Sequence, residues 1–310
     1  MTALLEAVRR LADANAGTEG DGPIRTPIPG LMMVRATAPT ALMHDVQRPL
    51  ACLVQQGAKR VSAGTRTVEF AAGDSLLVAA DVPTVSQITR ASAAAPYYSL
   101  VLELDAAVIA DLVAQMPPPA AAGHLPLRVE PTDAETADAA LRLLQLLDRP
   151  DALPVLQAQR VRELHYWLLA GRHGEAIRRL GWPEGHVHRI ARAVKLLRRD
   201  YAQPIAVQRL AAEAGMSASA FHQHFKAVTT LSPLQFQKQL RLIEARRLMH
   251  AQGASASRAA HAVGYESVPQ FTREFGRMFG QPPAADARLA RRMPAGVAGD
   301  AGGRPGEAAH

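Results

Sequence analysis

Residues 211–226 read AAEAGMSASAFHQHFK, and residues 260–276 read AHAVGYESVPQFTREFG. Both stretches place a small residue four positions before a glycine, then a serine, then two phenylalanines four residues apart. The glycine can end one helix in a left-handed conformation, the serine can cap a second helix, and the phenylalanines can pin the second helix to the first. The two stretches therefore predict two copies of a helix-turn-helix.

The two copies keep a common register. Aligned on Ser217 and Ser267, each has phenylalanine four and eight residues later, and the second copy has one extra turn residue, Glu266. Ser267 and Gln270 are predicted to form a capping box at the start of the last helix of the second copy. A single helix-turn-helix pattern is weak evidence, whereas two copies in register indicate a duplicated DNA-binding unit.

The segment between the copies predicts a rigid spacer. Ser232 and Gln235 form another predicted capping box, and Pro233 occupies the first helical position. A helix from Pro233 to Met249 would span about 25 Å at 1.5 Å per residue. A spacer of that order could place the two motifs in successive major grooves, roughly 34 Å apart.

Positive charge is concentrated in this third of the chain. Residues 186–292 carry 17 Lys and Arg against 6 Asp and Glu, a net charge of +11, whereas residues 1–185 carry 17 against 20, a net charge of −3. A compact domain with that excess favours a polyanionic partner, because each neutralised phosphate releases counterions. A merely solvated basic face is the alternative that charge alone leaves open.

A helical wheel divides the second helix of each copy into a buried seam and an outer face. Phe221 and Phe225 define the seam in the first copy, and the aligned phenylalanines do so in the second. The DNA-contacting candidates are Ser219, His222, Gln223 and Lys226 in the first motif, and Ser267, Pro269, Gln270, Arg273 and Arg277 in the second. Arg273 suits two-point contact with a guanine, and Lys226 suits contact with phosphate.

Residues 186–289 resemble the two-motif DNA-binding domain of AraC-type bacterial transcription regulators. The matching stretches are LAAEAGMSASAFHQHFKAVTTLSPLQF, RLIEARRLM and AVGYESVPQFTREFGRMFGQPP. The resemblance implies that Ser219, His222 and Gln223 face the DNA groove. Thr230 departs from the family pattern, since the family commonly has glycine at that position.

Short β-prone runs fill the chain from Pro27 to about Asp105. They are separated by turns such as SAGT at 62–65 and AAGD at 71–74. Many short strands at close spacing predict an all-β sandwich or barrel. The stretches PLACLVQQGAKRV, AAGDSLLVAADVP and PYYSLVLELD resemble the cupin-like N-terminal sensor domain of one branch of the same family, which implies that this part binds a small effector.

The predicted fold class is α+β, with a cupin-like sandwich or barrel followed by a helical connector and an all-α domain. The predicted segments are an N-terminal arm at 1–23, a cupin-like effector-sensing domain at 24–105, a helical connector and candidate dimerisation segment at 106–183, a double helix-turn-helix domain at 184–292, and a disordered tail at 293–310.

The sequence offers only weak candidates for effector binding, namely Arg35, His44, Cys52 and Arg90. Cys52 lies in the apolar run LACLV, which favours a buried structural thiol over a redox sensor. His44 is the only histidine between residues 24 and 105, so the sequence lacks the histidine cluster of a metal-dependent cupin enzyme. We therefore predict no metal, no cofactor and no enzymatic activity.

The leading hypothesis is a sequence-specific transcription regulator in which a small effector controls promoter binding. The expected partners are double-stranded promoter DNA, the effector and RNA polymerase, with a homodimer through the connector as the alternative to a monomer. A cupin-type enzyme with an appended basic domain and a non-specific DNA-coating protein are the rival hypotheses. No apolar run approaches the roughly 18 residues that span a bilayer, so we expect no membrane association and a cytoplasmic location.

Overall fold

The computed structural model describes residues 2–117, 125–182 and 185–292. The tail predicted as disordered, residues 293–310, lies outside the described residues. Within the described residues, the N-terminal half holds ten strands, which are β1 (Gly22–Arg25), β2 (Leu31–Ala36), β3 (Met43–Gln47), β4 (Leu50–Gln56), β5 (Ala58–Ala63), β6 (Arg66–Ala71), β7 (Asp74–Val78), β8 (Val82–Arg90), β9 (Tyr97–Glu103) and β10 (Leu127–Pro131).

These strands form two antiparallel sheets, together called the sandwich domain here. One sheet has the order β1-β2-β9-β4-β7-β10 and the other has the order β3-β8-β5-β6. Strand β4 shows why the core has two layers. Cys52 and Val54 belong to the buried cluster shared by the two sheets, whereas Ala51 and Leu53 belong to a second cluster with the helices that cover the opposite face.

Strands β1 and β10 lie outside residues 27–105, where strands were predicted, and β3 lies inside that range but corresponds to none of the β-prone runs. In β3 only Val46 is buried, and in β1 only Ile24 is, so neither shows the alternation that marks a half-buried strand. Strand β10 pairs with β7 and therefore extends the sandwich into residues 127–131, within the range predicted as helical connector. Its place in the sheet depends on a partner strand some fifty residues earlier, which local periodicity does not reveal.

The outer face of the six-stranded sheet is covered by helices. These are α1 (Ala3–Glu19), α2 (Ala106–Val113), α3 (Ala134–Leu144) with a 3₁₀ turn at Gln145–Asp148, α4 (Leu153–Ala170) and α5 (Gly174–Gly181). Residues 1–23, predicted as an arm, contribute α1, whose Leu4, Val8 and Ala12 are buried in the same cluster as Leu53 of β4. That helix is therefore an integral part of the sandwich domain.

The C-terminal helical domain holds α6 (His186–Arg199), α7 (Val207–Glu213), α8 (Ala218–Thr229), α9 (Pro233–Ala251), α10 (Ala256–Ala262), α11 (Val268–Phe279) and α12 (Pro283–Arg292). Helices α7 and α8 form the first motif, and α10 and α11 form the second. Gly215 and Gly264 take the predicted left-handed conformation in the two turns, with φ of 61° and 86°. The two helix-turn-helix motifs predicted from the repeat are thus confirmed.

The two predicted capping boxes had different outcomes. At Ser232 both bonds form, since its hydroxyl accepts from the Gln235 N–H and its own N–H donates to the Gln235 amide oxygen. At Ser267 only the hydroxyl bond to the Gln270 N–H forms, so the prediction of a full box was wrong there. The Gln270 amide instead donates to Glu274, one turn further along α11.

Candidate functional site

The first motif presents a polar face on α8. Phe221 and Phe225 are fully buried and Val228 is nearly so, which fixes the rotation of the helix. The four residues predicted to contact DNA are all exposed, namely Ser219, His222, Gln223 and Lys226. His224 sits between the two faces, and its ring stacks on that of His186 of α6 with ring centroids 3.6 Å apart. The seam and the polar face therefore divide α8 as the wheel predicted.

The second motif presents the equivalent face of α11. Phe271 and Phe275 are fully buried, and the exposed candidates are Pro269, Gln270, Arg273 and Arg277. Among the described residues, no carboxylate lies within ion-pair distance of Arg273 or Arg277. Ser267 is half-exposed, and its hydroxyl is engaged in capping α11. The face therefore carries two guanidinium groups with no internal anionic partner.

One helix joins the two motifs. Helix α9 has 19 residues and ends at Ala251, two residues beyond the predicted end, so it spans about 28 Å at 1.5 Å per residue. Its N-terminal part packs in the core of the first motif through Phe236 and Leu240. Its C-terminal part packs in a separate core with the second motif through Ala245 and Met249. The two motifs thus have distinct cores connected by α9.

A cavity of about 120 Å³ lies inside the sandwich domain. Its walls are mostly apolar and come from both sheets, among them Val34, Leu50, Val61, Phe70, Leu76 and Val101. The polar groups at its margin include Lys59 of β5 and Thr84 of β8. For comparison, an apolar cavity of ~150 Å³ in another protein holds a benzene molecule. The cavity therefore has room for a compact small molecule.

The four effector candidates from the sequence fall in different places. Cys52 and His44 line the cavity. Arg35 lies on the opposite side of its strand, where it donates to Asp13 and Asp21, and Arg90 donates to the backbone oxygen of Gly57 at the end of β8. Neither arginine is part of the cavity wall, because the inward face of each strand is set by the packing of the two sheets.

The thiol at the cavity wall is well buried. Cys52 is 3% exposed, and its Sγ lies 4.0 Å from the Oη of Tyr97, which is itself buried. Burial raises the pKa of Tyr97 well above its usual value. The predicted burial of the thiol is confirmed, and its structural role stays a prediction.

Sequence reasoning missed Arg198, which reaches the cavity from α6 of the helical domain. Its Nη1 donates to the Asp81 carboxylate at 2.9 Å and to the backbone oxygen of Val46 at 3.3 Å. Burial raises the pKa of Asp81, and the neighbouring Arg198 guanidinium opposes that shift. No local signal distinguishes Arg198 from the other arginines of a basic helix, because its role depends on the docking of two domains.

His44 also joins the two domains. Its ring meets that of Phe279 edge-on, with centroids 4.8 Å apart, and its Nδ1 lies 3.5 Å from Nη1 of Arg246. Burial lowers the pKa of His44 to about 4, and the Arg246 guanidinium adds to this effect. His44 is therefore neutral near pH 7 and can pack against the cation.

Two family models match the chain. One describes an AraC-type transcriptional regulator N-terminus and matches residues 27–176, and the other describes a helix-turn-helix domain and matches residues 210–288. The first range contains most of the sandwich domain and most of the helices after it, and the second contains both motifs apart from the first three residues of α7. The chain belongs to the AraC-type transcriptional regulators.

Curated relatives align with part of the chain. An AraC-like transcription regulator of Streptomyces lividans is 34% identical over 115 residues, which are 37% of this chain and 38% of the relative. The virulence regulon transcriptional activator VirF of Yersinia enterocolitica is 30% identical over 154 residues, 48% of this chain and 54% of the relative. The chain thus spans between a third and just over half the length of these relatives, and both are named as transcription regulators.

Solved structures share the fold of most of the chain. A ligand-free single-residue variant of ToxT of Vibrio cholerae superposes with a TM-score of 0.56 at 8% identity, covering 86% of this chain and all of ToxT. ToxT bound to (E)-4-(8-methylnaphthalen-1-yl)but-3-enoic acid superposes with a TM-score of 0.55 at 10% identity, covering 83% of this chain and 97% of ToxT. At this identity the likeness concerns the fold alone.

Two absences hold for the described ranges. No helix within residues 2–117, 125–182 and 185–292 is long and apolar enough to cross a membrane. The same ranges contain no group of three or more His, Cys, Asp or Glu side chains placed to hold a metal ion.

Proposed function

We propose that the protein is a sequence-specific transcription regulator that reads two half-sites of one promoter duplex. The observation that carries the proposal is the pair of exposed polar faces at equivalent positions of α8 and α11, joined by the 19-residue helix α9. The span of about 28 Å along α9 is close to one DNA turn, roughly 34 Å. One chain would then enter two successive major grooves.

The side chains on the two faces suit different parts of the duplex. His222 and Gln223 can exchange hydrogen bonds with base edges, and Arg273 can donate to both acceptors of a guanine. Lys226 and Arg277 lie further along their helices and suit phosphate oxygens, which position the protein without reading sequence. The net charge of +11 over residues 186–292 supports binding to DNA through counterion release.

The decisive experiment first identifies the DNA sites that the wild-type protein protects in genome-wide footprinting. The affinities of Arg273→Ala and wild type for one of these sites are then compared. We expect the variant to lose about 1–3 kcal/mol of discrimination between that DNA and a scrambled duplex at fixed salt. Arg60→Ala is the matched control, because Arg60 is an exposed arginine of the sandwich domain paired with Glu69. Unchanged affinity of Arg273→Ala for both duplexes would refute the assignment. A wild-type protein with equal affinity for both duplexes would favour a non-specific DNA-coating protein.

We further propose that the cavity in the sandwich domain receives the effector. Its volume of about 120 Å³ and apolar walls support a compact, largely apolar molecule. Three cations line it, but Arg48 pairs with Glu103 and Arg198 pairs with Asp81. Lys59 has no ion-pair partner among the described residues, and this cation supports an acidic group on that molecule. ToxT was solved with an unsaturated fatty acid and with a naphthalenyl butenoic acid, and these acids are the precedent for the proposed class.

The remaining partners are expectations that rest on this function. A regulator that activates a promoter would contact RNA polymerase, and the cytoplasm with its nucleoid is the expected location. If the protein forms a homodimer, we expect the interface in the helical connector, where Val155 and Tyr166 of α4 are exposed apolar side chains. Sedimentation of wild type and Val155→Asp would distinguish a dimer through α4 from a monomer.

A further inference from the structure

The two recognition helices end at the same structural point. Helix α8 is followed by Thr230 and helix α11 by Gly280, both left-handed, with φ of 66° and 77°. Each cap donates its N–H to the oxygen four residues back, in Lys226 and Gly276. Both caps lie thirteen residues after the aligned serines, Ser217 and Ser267, so they are equivalent positions of the repeat.

The sandwich domain touches both of these points. The β5–β6 turn meets the first motif, since a Cβ added to Gly64 would lie 2.7 Å from Cβ of Thr230 and closer still to its Oγ1. Strand β3 meets the second motif, since the His44 ring contacts that of Phe279, the last residue of α11. Each recognition helix is therefore contacted at its C-terminal end by the same domain.

The contact between His44 and Phe279 lies against the Arg246 guanidinium, which is held by a buried ion pair. Arg246 of α9 lies over the Phe279 ring, with its Cζ 4.8 Å from the ring centroid. The same guanidinium donates from Nε and Nη2 to the two oxygens of Asp286, each at 2.9 Å. Asp286 is 1% exposed and also bonds Gln281. Arg246, which lies next to both His44 and Phe279, is thus held in place by the buried carboxylate of Asp286.

Further contacts tie α9 to the loop after α6 and to the second motif, among them the ion pair of Lys238 with Glu274. Arg241 of α9 donates to the backbone oxygens of Ala202 and Gly264, which links the loop after α6 to the turn of the second motif. The motif cores are separate clusters of buried residues, and half-buried Tyr201 packs against both. A domain that contacts both helix ends can therefore restrict the remaining movement of one motif relative to the other.

We propose that Gly64 and His44 are positioning residues through which the sandwich domain fixes the distance between the two DNA-reading faces, and so sets the half-site spacing that the protein accepts. The inference rests on the proposed function. Both contacts lie at the C-terminal ends, whereas Ser219, Gln223 and Arg273 lie in the first two turns and stay exposed. The sandwich domain can therefore act on spacing without covering the faces.

The test uses the full-length protein without effector and duplexes that wild type enriches from a randomised DNA pool. One to three base pairs are inserted between the half-sites, and the ratio of Kd for the lengthened and original duplexes is measured at fixed salt. We expect wild type to bind the lengthened duplex at least tenfold more weakly. Gly64→Ala, whose methyl group meets Thr230, should reduce that ratio at least threefold, and so should His44→Ala, which loosens the other contact.

Two further variants separate the contact from a general loss of stability. Gly73→Ala also places a side chain at a positive φ, 92° in the β6–β7 turn, but its added Cβ meets nothing within 4 Å. It should keep the wild-type ratio. Thr230→Gly in the Gly64→Ala background removes the side chain that the methyl group meets and should restore the wild-type ratio.

The outcomes are distinct. The positioning role is overturned if both Gly64→Ala and His44→Ala keep the wild-type Kd ratio. It is also overturned if Gly73→Ala reduces that ratio as much as Gly64→Ala does, or if Thr230→Gly does not restore the ratio in the Gly64→Ala background. Enrichment of a defined sequence by wild type would leave the proposed function standing in each of these cases. If wild type enriches no sequence, the proposed function and the spacing role both fail.

Discussion

The carboxylate of Asp286 accepts two hydrogen bonds from one guanidinium, from Nε and Nη2 of Arg246, each at 2.9 Å. Asp286 belongs to α12 and Arg246 to α9, so the pair ties the last helix to the spacer between the motifs. His250, also on α9, places its Nε2 2.6 Å from the same carboxylate. One buried carboxylate therefore holds two basic side chains of the spacer helix.

We expect Asp286→Asn to destabilise the helical domain by about 3 kcal/mol, because it leaves a half-buried guanidinium without its charge partner. The readout is the urea midpoint of the full-length protein. Asp148→Asn is the control, since Asp148 pairs with Arg10 at the surface and should cost less than about 1 kcal/mol. Equal effects of the two substitutions would contradict the role of burial.

The same carboxylate predicts a pH dependence. Burial alone would raise the pKa of Asp286, but hydrogen bonds from His250, Arg246 and Gln281 hold it well below its usual range. A lowered folded-state pKa means that the pair stabilises the fold above pH about 4 and that this contribution is lost as the pH falls further. Wild type should therefore lose more stability than Asp286→Asn between pH 5 and pH 3, measured by urea unfolding.

Thr230 is the only residue other than glycine with a positive φ among the described ranges. A β-branched side chain in this conformation is strained, so we expect Thr230→Gly to raise the free energy of unfolding by about 1 kcal/mol. Gly280→Thr is the reciprocal change at the equivalent cap of α11, and it should destabilise by a similar amount. Thermal unfolding of both variants checks the prediction. Destabilisation by Thr230→Gly would show that the Thr230 contact with Gly64 outweighs the strain.

The stacked pair of His224 and His186 makes the first motif sensitive to acid. Burial lowers the pKa of His224, and the charges of His186 and Arg189 lower it further. The unfolded chain therefore binds a proton more readily than the folded one below pH about 6.5, and stability falls as the pH drops through that value. We expect His224→Gln to flatten this slope between pH 7.5 and pH 5.5, followed by hydrogen exchange of α8. Gln223→Ala, a change of a non-titrating side chain on the exposed face of the same helix, is the control and should keep the slope.

Arg198 should couple the proposed effector cavity to the helical domain. A thermal-shift panel of compact organic acids and their matching amides would identify acids that raise the melting temperature of wild type. We expect Arg198→Ala to abolish most of that rise, because it removes a cation from the cavity wall and the tie to Asp81. Lys195→Ala, an exposed change on the same helix, should leave the rise intact. Equal stabilisation by the amides would contradict an acidic effector.

Local pattern was sufficient for the helical domain. The spacing of Gly215, Ser217 and Phe221, and its recurrence at Gly264, Ser267 and Phe271, reflects the turn and capping chemistry within each motif. The sequence alone therefore predicted both motifs and their buried seams. Periodicity was less informative in the sandwich domain. Strand β10 joins the sheet through β7, and that pairing is a long-range contact.

The amino-acid sequence by itself determined the duplicated motif, the polar faces of α8 and α11 and the family, because helix periodicity, capping and turn chemistry act over a few residues. The tertiary structure alone decided that Cys52 faces the cavity while Arg35 faces away, and that Arg198 closes the cavity from another domain. It also decided that Gly64 and His44 meet equivalent ends of the two recognition helices. These relationships join residues up to some 235 positions apart, and only the packing of the sheets and domains brings such residues together.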